Sequence, residues 1–204
     1  MKIGPKYKIA KRLGASVFEK TQTQKFAISQ ERREKKRGRG RGPTEFGKQL
    51  LEKQKVRLTY GLTERQFAKY VREAMTAHGK GAQPMDVLHR LVETRLDNVV
   101  YRLGLAPTRR AARQMVSHGH ITVNGRKTTI PSREVKMTDK IGVREGSKNR
   151  ALFENFGTRF EERTLPSWLS FDPKSMTGGL EQMPTTESAD TAGDLTAVLS
   201  FYSR

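Results

Sequence analysis

The chain has 204 residues, with 40 lysines and arginines against 21 acidic residues and a net charge of +19. So large a charge indicates a polyanionic partner, by default nucleic acid, because self-repulsion would otherwise only destabilise the compact state. The lack of cysteine excludes disulfides and thiolate zinc sites, and no apolar stretch predicts export or membrane insertion. We therefore expect a cytoplasmic protein without a structural metal.

Charge is distributed unevenly along the chain. Residues 1–43 carry 14 basic and 3 acidic residues, residues 44–163 carry 24 and 13, and residues 164–204 carry 2 and 5. Since only 34% of the residues are hydrophobic, we expect small cores with long basic surfaces.

The first 43 residues have few periodic apolar positions and end in a Gly-Arg-rich run, residues 35–43. Glycines disfavour a helix there and arginines repel one another. We predict an extended basic arm that is largely disordered alone and becomes ordered on phosphates, rather than a simple flexible tail. Its candidate RNA-binding residues are Arg37, Arg39 and Arg41.

Residues 44–94 have helical periodicity. One helix is predicted from near Thr44 to the interruption at Gly61, and Thr63 and Gln66 have capping-box spacing at the start of a second. A third follows with Asp86 as its predicted cap. This segment predicts an all-helical lobe.

A short helix ending at Gly104 is predicted from residues 95–104. Asp97 within it lacks a base partner, so we interpret it as a cap or an ion-pair partner of a nearby arginine rather than a catalytic acid. No nucleophile elbow, paired acids or phosphate-binding glycine loop is present in the sequence. We expect no enzyme activity.

Residues 108–127 predict a helix followed by a hairpin. Thr108 is the expected N-cap, Gly119 the left-handed end, and Asn124-Gly125 the tight turn. At about 100° per residue, one arc of the helix is polar and cationic and the opposite arc is apolar. The polar arc contains Arg109, Arg110, Arg113, Gln114 and Ser117. Arg126 and Lys127 leave the turn beside it, which predicts one basic surface for RNA. The alternative is that an exposed helix simply carries solvated arginines.

Beyond the hairpin, Val135, Ile141 and Val143 are strand signals for a small antiparallel sheet, and residues 148–163 predict a helix. Trp168 begins an apolar cluster, and residues 195–202 form a final apolar anchor. We divide the chain into a basic arm (1–43), a helical lobe (44–94, with 158–204 packing back on it) and a small α/β domain (95–157). The predicted fold class is α+β.

Several stretches resemble the S4 family of bacterial small-subunit ribosomal proteins. They are Gln54–Arg57, Tyr60-Gly61, Glu64–Phe67, RLDNVVYRLG from Arg95, TRRAARQMVSHGHITVNG from Thr108, IPS from Ile130 and the closing FYSR. Residues 95–157 resemble the S4 RNA-binding domain, a small α/β module also found in pseudouridine synthases, some tyrosyl-tRNA synthetases and a heat-shock protein that binds ribosomes.

The resemblance implies a primary binder of small-subunit ribosomal RNA that docks at a multi-helix junction and nucleates assembly of the subunit body. It implies no catalytic site, ribosomal proteins S5 and S3 as neighbours, and a part in the mRNA entry channel and in translational accuracy. Neither a membrane nor a small-molecule substrate or cofactor is implied. The RNA-binding residues it implies are Arg109, Arg110, Arg113, Gln114, Ser117, His118, Asn124, Arg126, Lys53, Lys55, Arg57 and Arg65.

The chain departs from the family pattern at its N-terminus, which lacks the zinc-binding cysteine cluster of several relatives. The pair His118 and His120 has no clear third ligand, so we expect no metal. A Gly-Arg repeat at 38–42 and an acidic stretch at 183–194 are further departures.

Two other functions account for less of the sequence. An RNA-modifying enzyme would need a catalytic domain of about 150 more residues, and 47 residues follow residue 157. A separate RNA-binding stress factor would leave the matching segments on both sides of the α/β domain unexplained.

Overall fold

The computed structural model describes residues 3–36, 44–79, 81–150, 152–153, 164–186 and 193–203. Two compact units are formed, one from residues 1–85 and 190–204 and the other from residues 86–189. The described helices are α1 (Lys6–Leu13), α2 (Gln24–Lys36), α3 (Glu45–Thr59), α4 (Glu64–His78), α5 (Pro84–Glu93), α6 (Leu96–Arg102), α7 (Arg109–Ser117), α8 (Glu145–Lys148) and α9 (Leu195–Tyr202). The described strands are β1 (Ile121–Val123), β2 (Arg126–Lys127), β3 (Lys140–Val143), β4 (Leu169–Asp172) and β5 (Thr177–Leu180). The fold is α+β, as the sequence predicts.

Helix α3 of the first unit begins after Thr44, close to the predicted start, and α4 begins at the predicted capping box. The Thr44 hydroxyl accepts a 3.2 Å hydrogen bond from the Gly47 amide, and Thr63 with Gln66 forms the capping box. Such caps satisfy amides that the first turn leaves without intrahelical partners. Gly61 separates the two helices with a φ of +62°.

The N-terminal segment differs from the extended arm that the sequence predicted, because α1 and α2 are helical. Ala10, Leu13, Phe18 and Phe26 are buried in one small cluster with Leu58 of α3. Apolar residues spread over two short helices give a weak periodic signal, yet together they bury enough surface to fold. Arg37, Arg39 and Arg41 lie outside the described residues.

The C-terminal helix α9 packs on α3 and α4 of the first unit. Asp194 caps it, since its carboxylate accepts hydrogen bonds from the Thr196 amide (2.8 Å) and the Ala197 amide (3.1 Å). Leu195 and Val198 are buried.

The second unit is built on an antiparallel sheet with the strand order β2-β1-β3-β5-β4. In the register, Ile121 pairs with Val143 and Ile141 pairs with Gly178. Helices α6 and α7 pack against each other, and both contribute to the core that the sheet completes. The largest fully buried side chains of this core include Leu96, Leu103, Leu105, Ile121 and Ile141.

Strands β4 and β5 correct one part of the expectation that residues 158–204 pack back on the helical lobe, since α9 does pack on α3 and α4 whereas β4 and β5 join the sheet of the second unit. They extend the sheet beyond β3, and Trp168, at the start of the predicted apolar cluster, is a core residue of the second unit at 2% exposure. A Cβ added at Gly178 of β5 would collide with Ser170 O and lie 3.1 Å from Leu103 Cδ2. The lack of a side chain therefore lets β5 approach its neighbours closely.

Two further expectations differ in detail. Asp86 was the predicted cap of α5, but the helix begins two residues earlier at Pro84, a residue suited to the first helical position. Asp86 lies in the first turn, where its carboxylate accepts a 2.7 Å hydrogen bond from Thr186 Oγ1. Most of the helix predicted over residues 148–163 lies outside the described residues. Within the described residues, helix α8 ends at Lys148. In the described chain, no helix combines the length and apolar character needed to cross a membrane.

Candidate nucleic-acid interface

Helix α7 begins and ends where the sequence predicts. The Thr108 hydroxyl accepts a 3.0 Å hydrogen bond from the Ala111 amide, and Gly119 follows the helix with a φ of +73°. The buried face consists of Ala112, Met115 and Val116. Exposed side chains on the other face are those of Arg110, Gln114, Ser117 and, just after the helix, His118.

Arg113 lies at the edge of α7 that faces α6 and is bound to Asp97. Its Nε and Nη2 donate to the same carboxylate oxygen, Oδ2, at 2.8 and 2.7 Å. Arg95 binds both oxygens of Asp97 at 3.0 and 2.8 Å. Because the Asp97 side chain is only 5% exposed, this ion pair is largely desolvated. The interpretation of Asp97 as an ion-pair partner is confirmed.

Arg109 is bound in a similar way one turn earlier. Its Nε donates a 2.8 Å hydrogen bond to Asn98 Oδ1, and its guanidinium carbon lies 4.4 Å from the centre of the Tyr101 ring. The sequence predicted that the basic side chains of α7 share one open surface. Instead, Arg109 and Arg113 are half-buried against α6, because they lie at the edge of the polar arc that meets the neighbouring helix.

The hairpin has the predicted turn, with φ values of +53° at Asn124 and +75° at Gly125. Asn124 is exposed, but its side chain is bound to the neighbouring strand segment, since it donates to Asp139 Oδ1 at 2.7 Å and accepts from the Lys140 amide at 2.8 Å. Arg126 and Lys127 are exposed. We therefore assign Asn124 a part in shaping the turn that carries these two cations.

Lys127 lies against the C-terminal end of α7. A Cβ placed on Gly119 would collide with Lys127 Cε and would lie 3.1 Å from its Nζ. The hairpin thus brings a cation to the exposed helix end that carries His118, and together they form a continuous basic surface.

Two further arginines that the sequence pattern did not indicate, Arg144 and Arg150, are exposed near this surface. The Arg144 amide donates a 2.8 Å hydrogen bond to His120 O, and His120 Nδ1 lies 3.0 Å from Ser147 Oγ. Burial, followed by the positive charges of Arg150, His118 and Arg144, lowers the pKa of His120 below its ordinary value. The position of Arg144 could not be predicted from neighbouring residues in the sequence, because it is the pairing of β1 with β3 that brings residue 144 beside residue 120.

The predicted cations of the first unit are mostly held in ion pairs. Lys53 is buried, lies 2.8 Å from Glu64 Oε1 and stands 4.4 Å above the Phe201 ring. Arg57 lies 3.3 Å from Glu64 Oε2, and Lys55 pairs with Glu52. Of these four side chains, only that of Arg65 is exposed. Burial raises the pKa of Glu64, but hydrogen bonds from Lys53 and Tyr202 outweigh it, so the pKa falls below the ordinary value.

Comparison with known proteins agrees with this architecture. Residues 1–92 match the ribosomal protein S4/S9 N-terminal domain, and residues 94–141 match the S4 domain. The chain is 41% identical to small ribosomal subunit protein uS4 of Roseiflexus castenholzii over 208 aligned positions, which cover 99% of this chain and 98% of the relative. It is 40% identical to small ribosomal subunit protein uS4 of Burkholderia vietnamiensis, and this alignment also covers 99% of this chain and 98% of the relative.

The chain belongs to the uS4 family. As a member of the uS4 family it is a structural protein and not an enzyme. This assignment agrees with the role of Asp97, whose carboxylate is occupied by two arginines in the buried interior of the S4 domain.

Proposed function

We propose that this structural protein of the small ribosomal subunit binds ribosomal RNA at a junction of several helices and nucleates assembly of the subunit body. The observation that carries the proposal is the basic surface on the exposed side of α7, where Arg110 lies near the start of the helix and His118, Arg126 and Lys127 lie at its C-terminal end with Arg144 near them. Arg110, His118, Arg126 and Lys127 lie within residues 94–141, which match the S4 domain.

Phosphate neutralisation is the main source of affinity in this proposal. Folded RNA helices present phosphates and 2′-hydroxyls, and their deep major groove hides the base edges, so a protein recognises them chiefly by shape. Arginine suits the task because its planar guanidinium binds a phosphate through two parallel hydrogen bonds. Each neutralised phosphate releases counterions, so affinity should fall steeply as the salt concentration rises.

The proposed RNA-binding residues fall into two groups by their surroundings. Arg65, Arg110, Gln114, Ser117, His118, Arg126 and Lys127 are exposed and would contact RNA directly. Arg109 and Arg113 are partly exposed and would contact it from fixed orientations. For Lys53, Lys55, Arg57 and Asn124 we propose a supporting role within the protein, because neighbouring side chains bind their polar groups.

Finer parts of the proposal are supported by the family resemblance alone. They are the location in cytoplasmic ribosomes, the neighbouring ribosomal proteins S5 and S3, and the contribution to the mRNA entry channel and to translational accuracy. We also propose that Arg37, Arg39 and Arg41 bind phosphates and that the α/β domain is the principal RNA-binding part of the chain.

The test is binding of the full chain to a small-subunit ribosomal RNA fragment that contains the multi-helix junction, titrated against salt with tRNA as competitor. Nanomolar binding that survives the competitor, with a steep salt dependence, is the expected result. Equal affinity for the two RNAs would contradict the proposal, since it would leave only non-specific binding to a polyanion.

A matched pair of substitutions locates the interface. Arg110→Gln and Lys174→Gln each remove one exposed cation from the second unit, but Lys174 lies in the turn between β4 and β5, and β4 is the edge strand opposite β2 of the basic hairpin. Arg110→Gln should weaken binding and reduce the salt slope by about one, and Lys174→Gln should change neither. Equal effects of the two substitutions would place the RNA elsewhere.

A further inference from the structure

The side chain of Asn98 has a single orientation because of buried Glu93. The Glu93 carboxylate is 0% exposed and accepts hydrogen bonds from Asn98 Nδ2 at 2.7 Å and from Arg102 at 3.0 and 2.7 Å. An ionised carboxylate only accepts hydrogen bonds, so the amide nitrogen of Asn98 must face Glu93. Asn98 Oδ1 is therefore directed away from Glu93 and toward α7.

That oxygen fixes one edge of the Arg109 guanidinium. Asn98 Oδ1 accepts the 2.8 Å hydrogen bond from Arg109 Nε, while Tyr101, one turn further along α6, supports the face of the guanidinium at 4.4 Å. A hydrogen bond to Nε sets the direction of the group, and the aromatic ring sets its plane. Two contacts of different kinds thus define one orientation.

Asp97 holds Arg113 in the same manner. Arg95 binds both Asp97 oxygens and keeps the carboxylate in place, and Oδ2 accepts from Arg113 Nε and Nη2. The Arg113 side chain remains 31% exposed. Both arginines of α7 that face α6 are therefore held by neighbouring residues of α6, Asp97 and Asn98.

We propose that Asn98 and Tyr101 are positioning residues for RNA recognition, which hold the Arg109 guanidinium in one orientation toward the phosphates, and that Asp97 does the same for Arg113. The inference rests on the proposed function. A long side chain that is already ordered loses less conformational freedom on binding, and the cost of ordering one such side chain corresponds to a factor of about 3 to 10 in affinity. Asn98 and Tyr101 would act through Arg109 without contacting RNA.

A double-mutant cycle on the full chain tests this with the junction RNA as the ligand. Asn98→Ala should weaken binding about 3- to 10-fold in the wild-type background. In an Arg109→Ala background the same substitution should have no further effect, because the group that it positions is gone. As the matched background, Arg110→Ala should leave the effect of Asn98→Ala intact. Equal effects in all three backgrounds would overturn the inference.

A second pair of variants keeps the test valid if Asn98→Ala does not fold. Tyr101 is only partly buried, so its substitution removes less of the core. Tyr101→Phe keeps the aromatic face under Arg109 and should bind like the wild type, while Tyr101→Leu should bind about 3- to 10-fold more weakly. Circular dichroism and urea unfolding establish that both variants are folded. Equal binding by these two folded variants would overturn the role of the ring.

The failure of this inference is distinguishable from failure of the proposed function. A wild-type chain that does not distinguish junction RNA from tRNA overturns both. A wild-type chain that does distinguish them, with Arg109→Ala binding as tightly as the wild type, overturns the positioning role alone.

Discussion

The hydroxyl of Tyr202 donates a 2.6 Å hydrogen bond to Oε1 of Glu64, 138 residues earlier in the chain. The same oxygen accepts a 2.8 Å hydrogen bond from Lys53 Nζ. One carboxylate therefore joins α3, α4 and α9. Burial, and then the hydrogen bond to Glu64, raises the pKa of Tyr202 far above its ordinary value.

Tyr202→Phe should destabilise the first unit by about 1 kcal/mol. Hydrogen bonds to charged groups contribute about 1.5–3 kcal/mol, and we expect a value below this range because the Glu64 side chain is 48% exposed and solvent screens its charge. Urea unfolding measures the loss. The control is Tyr7→Phe, which removes a 3.0 Å bond to the neutral Lys20 carbonyl and should change the free energy of unfolding less. A larger effect at Tyr7 would contradict the role of Glu64.

Glu93→Gln should destabilise the second unit by about 3–5 kcal/mol, because it leaves the charge of Arg102 without its buried partner. The control ion pair is that of Glu145 with Lys148 at 2.9 Å, where the Glu145 side chain is 87% exposed. Glu145→Gln should cost about 0–1 kcal/mol. Unfolding by urea at constant pH compares the two variants, and similar costs would show that burial does not determine the effect.

The features that the sequence predicted correctly are set by residues close together in the chain. Thr108 caps α7 through the amide of Ala111, and Asn124-Gly125 forms the turn because both residues tolerate positive φ. The cap and the turn are each predicted by residues that lie within a few positions of the structure they form. Family membership was predictable for a different reason, because the resemblance is carried by short stretches of sequence and needs no tertiary contact.

The features that the sequence did not predict depend on contacts between distant segments. Pairing of β5 with β3 required knowing that Gly178 would lie opposite Ile141. The periodicity of α7 placed Arg113 correctly on the polar arc, but it gave no information on which neighbour, here Asp97, would occupy that edge. Helical periodicity describes one helix alone, so packing partners must come from the tertiary structure.

Gly178→Ala should destabilise the second unit by about 1–3 kcal/mol, because the added methyl group would collide with the backbone oxygen of Ser170 and lie 2.9 Å from Phe171 Cδ2. Backbone atoms of a paired strand have little room to move. At Gly146 of α8 an added Cβ meets no atom within 4 Å. Gly146→Ala should therefore be neutral or stabilising by up to about 1 kcal/mol. Thermal unfolding of the two variants checks the contrast, and an unchanged midpoint for Gly178→Ala would show that β4 and β5 adjust freely.

His89 should make the second unit less stable in acid. The ring is 0% exposed and, among the described residues, neither of its nitrogens has a hydrogen-bond partner. Burial lowers the pKa of His89, outweighing the opposing effect of Glu93. The unfolded state therefore binds more protons, so the stabilising contribution is complete above the unfolded pKa of about 6.5 and is lost as the pH falls from there toward the folded pKa. His89→Leu should flatten the decline in the free energy of unfolding between about pH 7.5 and 5. A decline that persists in His89→Leu would assign the acid sensitivity to other groups.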